Sequence, residues 1–419
     1  MPSFNLKKIK HYLLLAFIFL LPWQTRWIIN SGSINNGYFE YGTISLYAVD
    51  ILLIILFLLS LKQLKFNVPK KYFLFLVCGL GFIIANIFFS LSPRLTMFHW
   101  LWLIAAGFIS ILIYQSKLSW KKLVLAFSSG AALSALLGLW QFFSQSSFAS
   151  KWLGLALHNP ITLGTSVIEF GSERFLRAYG SLDHPNMLGG LAAITLLFIF
   201  YLSSQEKIKK SILVITTIIL TAGLVVSFSR AAWLAFLVGL IIMFVMQKQR
   251  KNLLLNFALC FLVFIFLFIP YHNLFFGRIS MADRLENISI SERVRNIQQT
   301  RVIFVKHPII GSGFGTYGLA LEKTNPNQEA WYYQPAHNVF LLILAEGGLV
   351  GLALAIIFLL AIFVGAWKKL PERRSLIASL FFALIIFVSL DHWLLSLHFG
   401  IYLLALVLTV VCKRDTLIS

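Results

Sequence analysis

His307-Pro308-Ile309-Ile310-Gly311-Ser312-Gly313-Phe314-Gly315 closes a long polar segment, and His337-Asn338-Val339-Phe340-Leu341 then opens an apolar run. The run continues through Glu346-Gly347-Gly348 and Gly351. Behind the stretch lies an arginine-rich segment. Ahead of it lies an apolar run longer than the ~20 residues that cross a bilayer. The water–membrane boundary is therefore expected to pass through this stretch, with a histidine at the first turn of the entering helix.

The same alternation recurs along the chain. It has 419 residues, 59% hydrophobic and 12% charged, with a mean hydropathy of +0.84. Soluble domains carry roughly 25% charge, so a soluble fold is excluded. Apolar runs fall near 11–28, 44–61, 72–90, 97–114, 123–143, 186–204, 211–228, 231–247, 252–271, 338–366, 375–391 and 397–412. The seventh and eighth are parted only by Ser227-Phe228-Ser229-Arg230. Fused, they would make a helix of about 36 residues, far beyond what a bilayer needs. The expectation is an all-α integral membrane protein of about 12 transmembrane helices, with a large, partly helical external loop between helices nine and ten. Lys7, Lys8 and Lys10 precede the first run, but no small-residue cleavage site follows, so an uncleaved first helix is expected.

A net charge of +20 would suggest nucleic acid in a soluble protein. Here short basic loops that set topology explain it better. They contain Lys62, Lys65, Lys70, Lys71, Lys117, Lys121, Lys122, Lys207, Lys209, Lys210, Lys248, Lys251, Lys368, Lys369 and Lys413, and both termini are expected to be cytoplasmic. Of 21 lysines 18 fall on this side, whereas of 14 arginines 10 fall on the other. Lysine serves topology as well as arginine does, but arginine's planar fork grips phosphate or carboxylate in two places. An anionic ligand on the outer face is one reading of this bias. Ion pairing with Glu169, Glu173, Glu286 and Glu292 is the other.

Two outer segments are long, about 144–185 and 272–336. On a helical wheel over Asp283–Lys306, Val294, Ile297 and Phe304 share a face, Arg301 falls between them and Arg293 flanks it, while Arg295 points away. Arginines on a buried stripe are costly unless paired, which favours Arg293 and Arg301 as site residues. Arg177-Ala178-Tyr179-Gly180-Ser181-Leu182-Asp183-His184-Pro185-Asn186 opens a helix, with Asp183 or Asn186 as its cap. Arg230 sits in a two-helix turn, either as a snorkelling anchor or at a site. Gly311-x-Gly313-x-Gly315 lacks the Lys-Ser/Thr of a phosphate-binding loop and reads as a turn that re-aims the chain. His337, with Asn338 beside it, can accept a proton as neutral imidazole. Glu346 lies about 13 Å deeper on the same helix, too far to be its partner. Arg26 is expected to pair with Glu40 or Asp50, and Asp391-His392-Trp393 is a further boundary charge cluster. Cys78, Cys260 and Cys412 form no disulfide framework, and no His/Cys/Asp set has metal spacing, so neither metal nor cofactor is expected.

Taken together, these residues resemble the O-antigen ligase and polymerase superfamily of bacterial envelope proteins. The resemblance rests on Arg177 with Gly180 and Pro185-Asn186, Ser229-Arg230, Arg293 fourteen residues before His307-Pro308, Gly311-x-Gly313, and His337-Asn338 followed by Glu346-x-Gly348 and Gly351. It covers about 174–355, the core between N-terminal membrane helices (1–173) and C-terminal ones (356–419). The resemblance implies transfer of a glycan from an undecaprenyl-diphosphate carrier to an acceptor hydroxyl at the outer face of the bacterial cytoplasmic membrane, metal-independent and with inversion. It assigns the diphosphate to Arg177, Arg230 and Arg293 and the acceptor hydroxyl to His337, with Arg301, Asn338, Asn186 and Glu346 supporting. A polymerase of the same superfamily, a lipid-glycan flippase or transporter, and a scaffold are the alternatives. No internal repeat of the kind carriers show is visible.

Overall fold

The computed structural model describes residues 6–62, 70–205, 209–279 and 284–414, apart from the side chains of 70–72, 279 and 284–290. Of the readings above, Lys65, Lys207 and Asp283 and the side chains of Lys70, Lys71 and Glu286 lie outside these described residues.

Each apolar run coincides with a helix. In chain order these are α1 (Leu6–Leu20), α2 (Ala48–Ser60), α3 (Lys70–Phe88), α4 (Pro93–Gln115), α5 (Trp120–Ser144), α6 (Pro185–Ser204), α7 (Lys210–Val226), α8 (Arg230–Met246) and α9 (Lys251–Ile279). After the second long loop, which contains α10 (Arg284–Lys306) and α11 (Tyr317–Thr324), come α12 (Val339–Lys369), α13 (Arg374–Leu390), the short α14 (Trp393–Ser396) and α15 (His398–Cys412). Among the described residues six helices are long and apolar enough to cross a membrane: α4, α5, α6, α9, α12 and the segment Pro371–Leu390. Five more apolar helices are shorter, at 10–17 residues.

The first run does not stay helical to residue 28. Pro22 follows the end of α1, and the chain enters strand β1 (Arg26–Asn30), which pairs antiparallel with Ile44–Tyr47. Proline cannot donate the next helical hydrogen bond, and the β-branched Ile28 and Ile29 suit a strand. A second small sheet pairs Ser33–Ile34 with Gly37–Tyr38, and a hairpin in the first long loop pairs Val167–Phe170 with Glu173–Leu176. The fold is helical with these minor strands at one end.

Helix α6 is the axis of the bundle. Nearly all its residues are buried, and it packs on α5, α7, α8, α9 and α13. Small residues permit this: a Cβ on Gly189 would lie 2.7 Å from Ser227 Oγ, and one on Gly190 would lie 2.5 Å from the Trp393 ring. Such close approach is the means by which membrane helices gain packing contacts. The glycines thus bring the N-terminus of α6 against the α7–α8 turn and against the segment that follows α13.

The polar loop is anchored in a break of α12. Gly348 has φ +63 and interrupts the helix. Leu349 and Val350 donate their N–H groups to Pro308 (2.9 Å) and Ile309 (3.1 Å), while Ser312 and Gly313 donate to Ala345 and Glu346 carbonyls, each at 2.9 Å. Gly311, Gly313 and Gly315 all have positive φ, a conformation that costs side-chain-bearing residues dearly. The glycine run is the re-aiming turn its sequence suggests. Glu346 serves this junction. Its Oε1 accepts the Tyr317 N–H at 2.9 Å at the start of α11, and its carbonyl accepts Asn86 Nδ2 at 2.9 Å.

Candidate active site

Arg177 follows directly on the hairpin strand Glu173–Leu176, and its neighbours are moulded onto α5. Gln141 accepts the N–H groups of Tyr179 (3.0 Å) and Gly180 (2.8 Å) and donates to the Gly180 carbonyl at 2.9 Å. Gly180 has φ +63, and a Cβ there would lie 2.6 Å from Ser134 Oγ. The chain then turns into α6. His184, rather than Asp183 or Asn186, caps that helix: its Nδ1 accepts the Asn186 N–H at 3.1 Å. Asp183 is exposed. A ring nitrogen serves the cap, which leaves the Asn186 side chain for another task.

That task is to join two distant charges. Arg177 Nη2 donates to Asn186 Oδ1 at 2.7 Å, and Asn186 Nδ2 donates to Asp391 Oδ2 at 2.8 Å. Asp391 Oδ1 accepts the His392 N–H at 2.8 Å and lies 3.8 Å from His337 Nδ1. The last distance is that of an ion pair rather than a hydrogen bond. At the other end of the chain of contacts, Arg177 Nε donates to the Ser227 carbonyl at 2.9 Å, in the turn that leads to Arg230. Arg177 is only 5% exposed. Its visible donors hold the scaffold, which makes it first a positioning group.

His337 precedes α12 instead of lying in its first turn. Asn338 is the cap, with Oδ1 accepting the Leu341 N–H at 3.0 Å and Nδ2 donating to the Ser389 carbonyl at 2.9 Å. The latter bond ties the start of α12 to the end of α13, two residues before Asp391. On its other side, the His337 N–H donates to Asn296 Oδ1 of α10 at 2.9 Å. Imidazole, carboxylate and arginine are thus set by backbone and amide contacts on four separate segments.

Three histidines surround Asp391, and their environments separate them. Burial pushes His184 and His392 down to about 3, assisted by Arg177 in one case and by His337 in the other. Burial also disfavours the charged form of His337, but the Asp391 carboxylate outweighs it and raises its pKa. Burial opposes ionisation of Asp391, yet His337 beside it holds it well below the usual carboxylate range. His337 is therefore the one imidazole of the three whose pKa is shifted upward. With Nδ1 facing Asp391, its Nε2 is the nitrogen placed to accept a proton.

The wheel reading of α10 needs correction. Asn296, Gln299, Thr300 and Ile303 are the buried residues, whereas Val294, Ile297, Val302 and Val305 are exposed, as are Arg293 and Arg301. The inner face is polar because it meets His337 and α11 through hydrogen bonds, including Thr300 Oγ1 with Tyr317 Oη at 3.4 Å. An outward apolar stripe flanked by arginines suits a helix lying at a membrane interface. Arg293 and Glu292 act electrostatically on His337 from this helix. Arg295 turns instead to the Tyr332 ring, 5.6 Å from its centroid.

Asp391, His392, His184 and Arg278 join the site without having been singled out as its residues. Arg278, at the end of α9, donates from Nε to the Phe228 carbonyl at 3.3 Å, so Arg177, Arg230 and Arg278 converge on one turn. Only the boundary position of Asp391-His392 gave a signal in the sequence. Folding also qualifies the expectation that no ligand set exists. One atom each of His337, Asp391 and His392 lie within 4.8 Å of one another, a spread that could hold a cation. Each already has an internal partner, however. His392 Nδ1 lies 2.6 Å from Ser396 Oγ, and both Asp391 oxygens accept hydrogen bonds. The arrangement fits an acid–base pair better than a metal cage.

Elsewhere at this end, Arg26 pairs with Glu40 through both oxygens, as expected, whereas Asp50 takes His398 (2.9 Å) and Tyr402 (2.7 Å). Arg174 lies 3.6 Å from Glu169.

Residues 215–356 match the family model described as O-antigen ligase. Over this segment, about a third of its length, the chain is similar to the O-antigen ligases. Comparison with curated proteins gives no match. The matched segment contains Arg230, Arg293, Arg301, His337, Asn338 and Glu346, while Arg177, Asn186 and Asp391 lie outside it and are brought in by folding. The match and the apolar helices together describe a multi-pass membrane protein similar, over that segment, to the O-antigen ligases.

Proposed function

We propose that this O-antigen ligase-type protein transfers a glycan from an undecaprenyl-diphosphate carrier to an acceptor hydroxyl at the outer face of the cytoplasmic membrane, with both termini inside. The observation that carries the reading is the His337–Asp391 pair, held through Asn186 by a buried arginine. Asp391, facing His337 Nδ1, stabilises the imidazolium. Nε2 removes the acceptor proton as the new glycosidic C–O bond forms. The C1–O bond to the carrier breaks, and its electron pair leaves on the diphosphate. Single displacement inverts the anomeric centre. No step calls for a metal.

Charge then builds on the leaving diphosphate, where preorganised cations count most. Arg230 and Arg293 are assigned to it, and Arg177 contributes field while acting chiefly through Asn186 and Asp391. Arg278, from the end of α9, joins Arg230 at the α7–α8 turn. Arg301 is at most an outer contact, Asn338 positions His337, and Glu346 holds the loop junction. An apolar cavity of about 1050 Å³ between α4, α12 and α15 reaches Leu394 and Leu395, close in sequence to Asp391. Its lining supports a lipid-linked donor.

The test is reconstitution with carrier-linked glycan and a mixture of acceptors, with chelator present. Wild type is expected to release carrier and form new glycan-bearing product, and His337→Ala to bind carrier without releasing it. Equal activity of the variant would remove His337 from the mechanism. Product mass separates ligase from polymerase. Transbilayer movement of lipid-glycan without product would mean a flippase.

A further inference from the structure

The opposite end of the bundle carries a second concave site. α6 runs from Pro185 to Ser204, so its two ends lie about 30 Å apart, the thickness of a hydrocarbon core. At its far end a cavity of about 530 Å³ is lined by Lys121, Lys369, Arg373 and Arg414, with Glu372 as the opposing acid. Four cations against one carboxylate leave a net positive recess, and a concave, low-dielectric wall focuses that field. Trp120 and Tyr201 form part of the wall.

A topology signal explains basic residues in loops, but it does not require them to converge. Here the fold makes them converge. Arg373 is 5% exposed, lies 4.7 Å over the Trp120 ring, and donates from Nη1 to the Lys413 carbonyl at 2.6 Å. Lys413 itself is spent on structure, with its ammonium donating to the carbonyls of Ile113 (2.9 Å) and Ser116 (2.7 Å) at the end of α4. Arg414 donates to the Lys369 carbonyl at 3.3 Å, which brings the two nearest the rim together. A buried guanidinium with exposed basic partners is the arrangement that grips phosphate oxygens.

We propose that this recess binds a phosphate-bearing anion, with the headgroup of an anionic phospholipid as its occupant. Basic pockets between helices on the cytoplasmic side recognise such headgroups through the same chemistry. The site does not depend on the donor or acceptor assigned to His337.

The full-length protein is placed in nanodiscs of phosphatidylcholine alone or mixed equally with phosphatidylglycerol, and lipid retention is read by native mass spectrometry. Wild type is expected to retain phosphatidylglycerol, and Lys369→Gln/Arg414→Gln to lose that preference by about thirtyfold, two surface charges' worth. Lys248→Gln/Lys251→Gln removes equal charge from a loop outside the cavity and is expected to bind as wild type does. Unfolding midpoints in phosphatidylcholine check folding; if the first pair unfolds, Lys121→Gln/Lys369→Gln replaces it. Pyrophosphate added to phosphatidylcholine discs distinguishes the sources. A raised midpoint in wild type alone, without lipid preference, keeps the phosphate site but makes its occupant soluble. No preference in either arm, or equal loss from the loop variant, overturns the proposal.

Discussion

Arg177 and Arg373 sit at opposite ends of α6's bundle with the same 5% exposure, yet they are held by different partners. Arg373 rests on the Trp120 ring and a main-chain carbonyl. Arg177 holds a main-chain carbonyl too, but its other contact is an amide that passes the interaction on to Asp391 and His337. A buried charge needs compensation in either case. At one end the compensation includes an aromatic ring and a main-chain carbonyl, and at the other it runs into the His337–Asp391 pair. Burial of an arginine therefore says little about chemistry until its partner's partner is known.

The largest effects should separate the ends. His337→Ala is expected to lower kcat by about 10²–10⁴, and Asp391→Asn to fall within the same range because the imidazole loses its orienting anion. Arg373→Gln should leave kcat near wild type and lower the unfolding midpoint. Carrier release and thermal unfolding measured on all three check this. If Arg373→Gln stops turnover in folded protein, the two ends are coupled and the contrast is wrong.

One step further out, Asn186→Ala removes the link between Arg177 and Asp391. The expected cost is about 1–3 kcal/mol, roughly 5- to 150-fold in kcat/KM. Combined with Asp391→Asn it should add little, since both remove the same support. Full additivity in the double variant would mean that Asn186 acts on substrate instead.

The pH profile sharpens the same point. His337 must be neutral to accept a proton, and Asp391 raises its pKa. Activity should thus rise with pH through a value above the ordinary imidazole range and then level. Removing the anion lowers the pKa, so Asp391→Asn should move the rising limb to lower pH while reducing the plateau. A limb that stays in place would detach the titration from His337.

Gly348→Ala probes the loop junction. Its φ is +63, and the added Cβ would lie 2.4 Å from the Ile309 carbonyl group. The expected loss is about 1–3 kcal/mol of stability, with the pH limb unmoved. Unfolding midpoints and the pH profile together test whether Glu346 and the glycines hold the loop without entering the chemistry.

Much of this was legible in the residues, for identifiable reasons. Long apolar runs fix helices because a bilayer leaves the backbone few other choices. His337 stood out because a polar residue opens an apolar run. The Arg177–Asn186–Asp391 chain was not legible, because Asn186 and Asp391 are 205 residues apart and neither has a local pattern that demands the other. The start of α6 also misled: Asp183 is the better cap by residue type, but His184 caps the helix. Pro22 signalled the end of α1, and the apolar residues beyond it masked a strand. Local physics reads from sequence, while tertiary hydrogen bonds do not.

Helix α10 brings the comparison down to two residues. Hydrophobic periodicity placed Arg293 and Arg301 together on a stripe assumed to face inward, but the stripe faces out, because its polar side is the one that meets His337. Arg293 still acts on His337, being three residues before the Asn296 that holds its N–H. Arg301 is eight residues further along, roughly 12 Å of helix away. Exposed charges act weakly beyond the ~10 Å screening length. Arg293→Ala is therefore expected to lower kcat/KM by about tenfold, and Arg301→Ala by less than about twofold, both read as carrier release at physiological salt. Equal losses would mean that the outward face of α10 grips the carrier along its length, and the site would then extend across the membrane surface well beyond His337.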